Sequence, residues 1–223
     1  MSATQPASQP ANSSLCPPVI HPLTPRHAAD AARLHILGQP GTFLTSLGAD
    51  LLALFYRTLP VSPVGFGFAA LNGENRTLGF AAVTTSTGHL FVEMATRRLG
   101  QLLPPLLTAF ARRPSLLLRA GQTLLYPLLT GRGADGGDFH AELLAIMTEP
   151  AARSQGIGGA LLAAVCAECV RRGMTELSVT VDAANSGARR FYERHDFFYA
   201  KEFPLYGRMM ALYVRRLAAD RGE

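Results

Sequence analysis

Apolar residues in this chain recur with two different periods, and the changes of period divide it into elements. A short apolar run over residues 19–23 predicts a strand. Over 25–37, His27, Ala31, Leu34 and Leu37 return at near-helical spacing and predict a helix. Past the turn at Gly48, the residues Leu51, Leu52, Phe55 and Tyr56 share one stripe, so a second helix follows. Residues 65–71 and 77–84 read as the two strands of a hairpin, with Asn72-Gly73 supplying the positive φ angles of a tight turn. Downstream the pattern predicts a strand over 140–147, a helix over 156–172, a strand over 176–181, a helix over 186–194 and a final strand pair over 197–203 and 207–215. Strands alternating with helices predict an α/β fold in layers.

The stretch 93–130 breaks this regularity. Its leucines crowd into LGQLLPPLLTAF and SLLLRAGQTLLYPLLT, interrupted by Pro104, Pro105, Pro114 and Pro127. Because proline lacks an N–H and clashes with the preceding turn, the segment predicts short amphipathic helices broken at the prolines. It fits an inserted helical cover over the core, with a membrane-surface or partner-binding lid as the alternative. The run GRGADGGD over 131–138 reads as a flexible loop. Residues 1–18, rich in Pro, Ser and Ala with neither a basic start nor an apolar run, read as a disordered tail rather than a secretory signal. The remainder, 19–218, is expected to be one domain with an insertion over 93–138, since 223 residues suit a single core.

Composition narrows the partners. At 48% hydrophobic and 17% charged, the chain is a packed globular protein rather than a disordered one. Its net charge of +5 is carried almost wholly by scattered arginines, Lys201 being the only lysine. No arginine stripe interleaved with aromatics is present, so no nucleic-acid partner is expected; a few arginines meeting a phosphorylated small ligand is the milder reading. The three cysteines, Cys16, Cys166 and Cys169, are too few for a disulfide framework, and their odd number argues for a reducing compartment. Cys166 and Cys169 form a C-x-x-C in mid-helix, with no second pair for zinc and no helix N-terminus as a redox motif has, so they read as packing residues and no metal site is expected. Apolar runs end at arginine or proline before the roughly 18 residues of a membrane span. A soluble, cytoplasmic protein without stable membrane insertion is expected.

The candidate chemistry begins in EPAARSQGIGGALLAAVCAECVRRG, which puts Gly156, Gly158 and Gly159 where a loop becomes a helix. Leu161, Leu162, Val165, Cys166 and Cys169 then form one stripe, with Glu168, Arg171 and Arg172 opposite and Gly173 as the stop. A helix start offers unpaired amides and the positive end of the dipole, which together suit a phosphate, the dipole contributing about 0.3–1 kcal/mol. A side chain at Gly156 or Gly158 would hold phosphate oxygens away from those amides. The same glycines would also serve a plain strand-to-helix turn. A P-loop is not expected because no Gly-Lys-Ser/Thr follows, nor a Rossmann fingerprint because Leu161 stands where its third glycine belongs.

The run LLAIMTEPAARSQGIGGALL resembles motif A of the GNAT acyltransferases, a strand followed by Arg/Gln-x-x-Gly-x-Gly/Ala and a helix, matched by Arg153, Gly156 and Gly158. Downstream, NSGARRFYERHDF resembles the family's motif B, matched by Asn185, Ala188, Phe191, Tyr192 and Phe197. Two motifs in order and at the right separation are far more specific than either alone. One departure is His195-Asp196 before Phe197, where the family usually has a glycine. The likeness covers roughly 140–200, is topological over 19–90, and leaves 93–130 uncovered.

The resemblance implies a GNAT fold: a mixed central sheet, splayed at the cofactor cleft after the strand ending near Met147, flanked by helices and carrying the helical insertion. It implies acetyl-CoA, or a close acyl-CoA, as acyl donor. The pantetheine arm would bond like an extra strand to the backbone of Ile146, Met147 and Thr148. The cofactor would be bound through Arg153, Ser154, Gln155, Gly156, Ile157, Gly158, Gly159 and Ala160, with the pyrophosphate on the amides from Gln155 onward. Asn185, Ala188 and Tyr192 complete the implied cofactor set. For Arg189 and Arg190 an exposed helix face is expected rather than a contact with a CoA phosphate, Arg189 standing four residues before Glu193 as in an ordinary surface pair.

Acyl transfer to an amine needs a neutral nucleophile, a stabilised oxyanion and a proton for the departing thiolate. An alkyl amine of pKa near 10.4 is neutral only about once in 2,500 molecules at pH 7, so a base or desolvation must help. Glu142, at the start of the motif A strand, resembles the glutamate of the family's histone-type members and is the candidate base. His140, two residues away on the same strand face, is the second candidate; an exposed strand end is the plain alternative for both. Tyr192 is the candidate acid, because the family commonly places a tyrosine there; its stripe of Ala188, Phe191, Tyr192 and His195 faces inward, as a packing tyrosine's would. A backbone N–H near Met147 is expected to hold the oxyanion. The expected function is N-acetyl transfer by direct attack of a primary amine, on a small-molecule acceptor that the sequence leaves unidentified. An O-acyltransferase or a non-catalytic acyl-CoA-binding module are the alternatives, and the oligomeric state, a homodimer included, stays open.

Overall fold

The computed structural model describes residues 18–112 and 140–217. The expected tail up to residue 17, the second half of the insertion, the loop 131–138 and residue 218 lie outside these. Strands β1 (Val19–Pro22), β2 (Gly65–Leu71), β3 (Thr77–Thr84), β4 (His140–Thr148), β5 (Glu176–Asp182), β6 (Phe198–Leu205) and β7 (Arg208–Arg216) follow the sequence pattern closely. They form one seven-stranded sheet in the order β1-β2-β3-β4-β5-β7-β6. Among the described residues its only parallel neighbours are β4 and β5; the other pairs are antiparallel.

Helices cover both faces, as the near-continuous burial of β2 and β3 requires. On one face, α1 (Ala28–Gly38) follows a 3-10 turn at Pro25–His27, and α2 (Phe43–Ser46), α3 (Ala49–Thr58) and α4 (Thr87–Arg97) come after it. Their Leu34, Leu52, Phe55, Tyr56, Leu90 and Met94 pack on Ala69, Phe80, Ala82, Ala145 and Met147. On the other face, α6 (Ile157–Arg171) and α7 (Ser186–Glu193) bury Ile157, Leu161, Leu162, Val165, Cys169 and Tyr192 against Ala70, Ala81, Leu143, Leu177 and Val179. The predicted stripe of α6 is thus its core face, and Leu161→Ala would leave a cavity costing about 2–5 kcal/mol. Gly173 ends the helix at φ 76, its N–H donating to the Val170 carbonyl at 2.9 Å and that of Met174 to Cys169 at 2.9 Å.

Two local expectations are corrected. The β2–β3 connection is not a tight turn on Asn72-Gly73: it spans five residues, and Asn75 carries the positive φ, 61°. The Asn72 side chain organises it instead, its Oδ1 accepting from the N–H of Glu74 at 3.1 Å and of Arg76 at 2.8 Å. The insertion is not broken at Pro104 and Pro105 either, because α5 (Leu99–Arg112) runs through both. The prolines deprive the carbonyls of Gly100 and Gln101 of their helical donors, but both residues are exposed, so water serves those carbonyls at little cost. Among the described residues no helix is long and apolar enough to cross a membrane.

Candidate functional site

β4 and β5 share a ladder only from His140↔Glu176 to Leu143↔Val179. Beyond it β4 continues to Thr148 alongside β3, while β5 continues to Asp182 alongside β7, so the two strands part. The cause is local. Ala82 pairs with Ala145 and Val83 with Leu143, leaving Leu144 as a bulge immediately past the last β4–β5 pair. A bulge bends its strand and changes which side chains face which way. Ala141 and Leu143 accordingly face α6, whereas Ala145 and Met147 face α1 and α3. The β5 side of β4 over 144–148 has no strand partner among the described residues, and its peptide groups are open to a ligand that bonds as a strand would.

The chain after β4 turns through Pro150–Ala152 into α6 with two left-handed residues, Ser154 at φ 62 and Gly156 at φ 78. Gly156 is the N-cap, and it is this conformation rather than crowding that calls for glycine, since a Cβ there would meet nothing within 4 Å. The first amide spent inside the helix is that of Ala160, donating to the Gly156 carbonyl at 3.0 Å. The amides of Ile157, Gly158 and Gly159 precede it and have no helical acceptor. They open on a cleft of about 560 Å³ lined by Thr148, Ala152, Arg153, Ser154, Gly156 and the first residues of α6, and closed on the far side by Phe191, Arg194 and His195. Gly158 and Gly159 let α7 come this close: a Cβ would stand 3.3 Å from the Phe191 ring at the first and 3.2 Å from His195 Nε2 at the second.

The family model described as acetyltransferase (GNAT) family matches residues 121–197, the stretch that holds the parting strand and both sides of this cleft. Ard1 from Thermoplasma volcanium superposes with a TM-score of 0.59 at 14% identity, over 91% of this chain and 99% of that one. The chain thus carries a GNAT-family match over that stretch and has the fold of these acetyltransferases. An acetyltransferase from Thermus thermophilus (TM-score 0.54, 17% identity, 91% of this chain and 98% of that one) shares the fold. So does the ribosomal-protein-S18-alanine N-acetyltransferase of Escherichia coli (TM-score 0.51, 15% identity, 92% and 99%). No curated protein matches the chain. The match makes acyl transfer the chemistry to be weighed at the site, and the expected residues fall into three groups.

In the first group, Thr148, Arg153, Ser154, Gly156, Ile157, Gly158 and Gly159 meet at the cleft, as a phosphate cradle requires. Gln155 is exposed and its amide nitrogen donates to the Ala151 carbonyl at 3.3 Å. Ile146 packs toward α6. Asn185 does a helix-capping job, its Oδ1 accepting from the Ala188 N–H at 3.0 Å, and Ala188 packs toward the core.

The candidate catalytic groups lie apart. Glu142 sits one residue before the last β4–β5 pair, and its Oε2 accepts a 2.8 Å hydrogen bond from Thr87 Oγ1 at the start of α4. Five residues separate it from Met147, about 16 Å at ~3.3 Å per residue, so it can serve the open end of the split only through water. His140 is turned toward β5, with Nε2 3.1 Å from Ser178 Oγ and Nδ1 3.2 Å from Glu176 Oε1. Tyr192 is 5% exposed, edge-on to Phe191 at 5.2 Å and Phe197 at 5.3 Å. Among the described residues its hydroxyl makes no hydrogen bond. Burial pushes its phenol pKa upward, so it keeps its proton at any working pH.

Two features escaped sequence reasoning. Phe191, Arg194 and His195 were not placed at the cleft, though the stripe Phe191, Tyr192, His195 carries two of them there. Arg189 does not pair directly with Glu193: its Nε donates to Tyr213 Oη at 3.0 Å, and that hydroxyl donates to Glu193 Oε1 at 2.8 Å. The missing glycine before Phe197 is accounted for by Asp196, which takes the left-handed conformation itself at φ 61, as Asp tolerates better than most residues. The C-x-x-C sulfurs belong to the core face of α6, and burial pushes the Cys169 thiol up to about 12. Among the described residues no group of three or more His, Cys, Asp or Glu could hold a metal ion.

Proposed function

We propose that this chain is an acetyl-CoA-dependent N-acetyltransferase of the cytoplasm that acetylates the primary amine of a small molecule by direct transfer. The observation that carries the reading is the parting of β4 from β5 after Leu143 and Val179, beside the free amides of Ile157, Gly158 and Gly159. An unpaired strand edge and an anion-binding helix start, at adjoining positions, match a molecule with an amide-bearing arm and a pyrophosphate, which acetyl-CoA has.

In this reading the amides of 155–159, with Arg153 alongside, hold the pyrophosphate, and the open edge over Ile146, Met147 and Thr148 aligns the arm. The amine nitrogen attacks the thioester carbonyl carbon, and the developing oxyanion is met by the Met147 N–H. Glu142 takes the ammonium proton through bound water. As the C–S bond breaks, the electron pair leaves on sulfur, and Tyr192 supplies the proton that makes the free thiol; bulk solvent restores the tyrosine.

The test is thiol release from acetyl-CoA by the purified chain over a panel of amines and alcohols. Release with one or more amines, in step with formation of the N-acetyl product, supports the proposal. Release with alcohols alone would make it an O-acyltransferase. Tight CoA binding without release on any acceptor would point to a sensor.

A further inference from the structure

His195 has no part in that mechanism, yet its ring stands on the cofactor cleft. Its Nδ1 is 2.7 Å from the Phe191 carbonyl oxygen. A carbonyl only accepts, so Nδ1 carries a hydrogen and donates it, and any further proton must add at Nε2. The ring is held 4.4 Å from that of Phe191. Nε2 overhangs the first turn of α6, 3.2 Å from where a side chain at Gly159 would begin. The charged groups around it are mostly positive: Arg194 and Arg153 line the same cleft, and behind it Asp196 is already paired with Arg215 at 3.6 Å. Among the described residues no carboxylate lines the cleft. The imidazole there faces amides and guanidinium groups, so an anion arriving in the cleft is the negative partner that a hydrogen on Nε2 would meet.

We propose that His195 is a phosphate-binding residue that gains a proton at Nε2 as the polyanion enters, and donates it in a charged hydrogen bond to a pyrophosphate oxygen. The inference rests on the acyl-CoA reading and adds a consequence: affinity is linked to proton uptake, and rises as pH falls through the histidine range, by up to about tenfold per unit.

Dephospho-CoA is the suitable probe, because its pyrophosphate has no ionisation in that range, whereas the phosphate monoester of CoA does. Calorimetric titration of the full chain is made between about pH 6 and about pH 8, on either side of the usual histidine pKa of about 6.5. The wild type should bind more weakly as pH rises. His195→Phe, which keeps a ring against Phe191 but has no nitrogen, should bind about tenfold more weakly at the lower pH and lose the pH slope. His195→Gln, which retains a neutral donor, should lose the slope while keeping part of the affinity. It carries the test if the phenylalanine variant unfolds, urea midpoints showing whether either does. Variants that keep the wild-type constant and slope overturn the assignment of His195. A wild type that binds neither CoA nor dephospho-CoA overturns the acyl-CoA reading, and the role of His195 with it.

Discussion

Replacing Tyr192 by phenylalanine separates a catalytic tyrosine from a packing one. The substitution keeps the ring and so its edge contacts with Phe191 and Phe197, and removes only a hydroxyl that makes no hydrogen bond among the described residues. With no such bond to lose, stability should stay within about 1 kcal/mol of wild type, and removing a desolvated hydroxyl should tilt the change upward. The effect on turnover has a different origin. General acid catalysis contributes about 10²–10⁴-fold. A thiolate leaves more readily than an alkoxide or amide anion, since a thiol pKa is only about 8.5. The lower end therefore applies, and kcat should fall about 100-fold, or about 2.7 kcal/mol of barrier, while KM for acetyl-CoA moves little. Thiol release with an accepted amine gives the kinetic half, and urea unfolding gives the stability half. Turnover within twofold of wild type in a normally stable variant would remove Tyr192 from the mechanism.

Four further outcomes are expected. Gly158→Val places a branched side chain against Phe191, where even a Cβ would stand 3.3 Å from the ring, and should weaken acetyl-CoA binding at least about tenfold by titration; normal binding would sink the pyrophosphate cradle. Gly156→Ala must hold φ 78 with a Cβ, so thermal unfolding should show a loss of about 1–2 kcal/mol, roughly 2–4 °C per kcal/mol at this size. His35 is 1% exposed, with Nδ1 2.5 Å from the Tyr56 hydroxyl, and burial lowers its pKa from 6.5 to about 4. Its neutral form is therefore the folded one: stability is full above about pH 6.5 and lost as pH falls toward 4, by up to about 3 kcal/mol. His35→Gln should flatten that part of the urea-unfolding pH profile. Cys169, fully buried with its thiol pushed up to about 12, should resist alkylation at pH 8 in the native chain and react once unfolded, which mass spectrometry reads directly.

The elements that depend on neighbours in sequence were readable, and those that depend on contacts across the fold were not. The α6 stripe and its Gly173 stop follow from period and backbone freedom, and both strands of the β2–β3 hairpin lie where alternation put them. The turn between them was misjudged because Asn72 acts through its side chain and not its own φ. The helix α5 passes through Pro104 and Pro105 because its exposed carbonyls can turn to water, a circumstance set by tertiary exposure. At the site, the glycines that precede α6 were visible as a pattern, but two of the reasons for them were not. Gly158 and Gly159 are small because Phe191 and His195, more than thirty residues later, lie against them.

The two faces of the sheet differ in the same way, and under the proposed function this explains why the donor side is easier to read than the acceptor side. The face with α6 and α7 gathers both motifs into one contiguous stretch, 140–197, where helix start, bulge and cap are local devices. The opposite face is assembled from scattered pieces. Leu102 and Leu106 of the insertion pack with Leu44, Leu47 and Leu51 and with Tyr206 of the β6–β7 turn. Arg208, just past that turn, donates to Asp182 Oδ2 at 3.2 Å and to the Gly41 carbonyl at 3.3 Å, tying the end of β5 to the α1–α2 connection. No spacing rule relates residues 41, 102, 182 and 206. A wall made this way can change its lining through substitutions in any of four segments while the α6 side stays fixed. On the proposed function, with the acceptor bound against this wall, acceptor choice would vary without disturbing the parting of β4 and β5, and sequence motifs would mark only the half of the site that stays put.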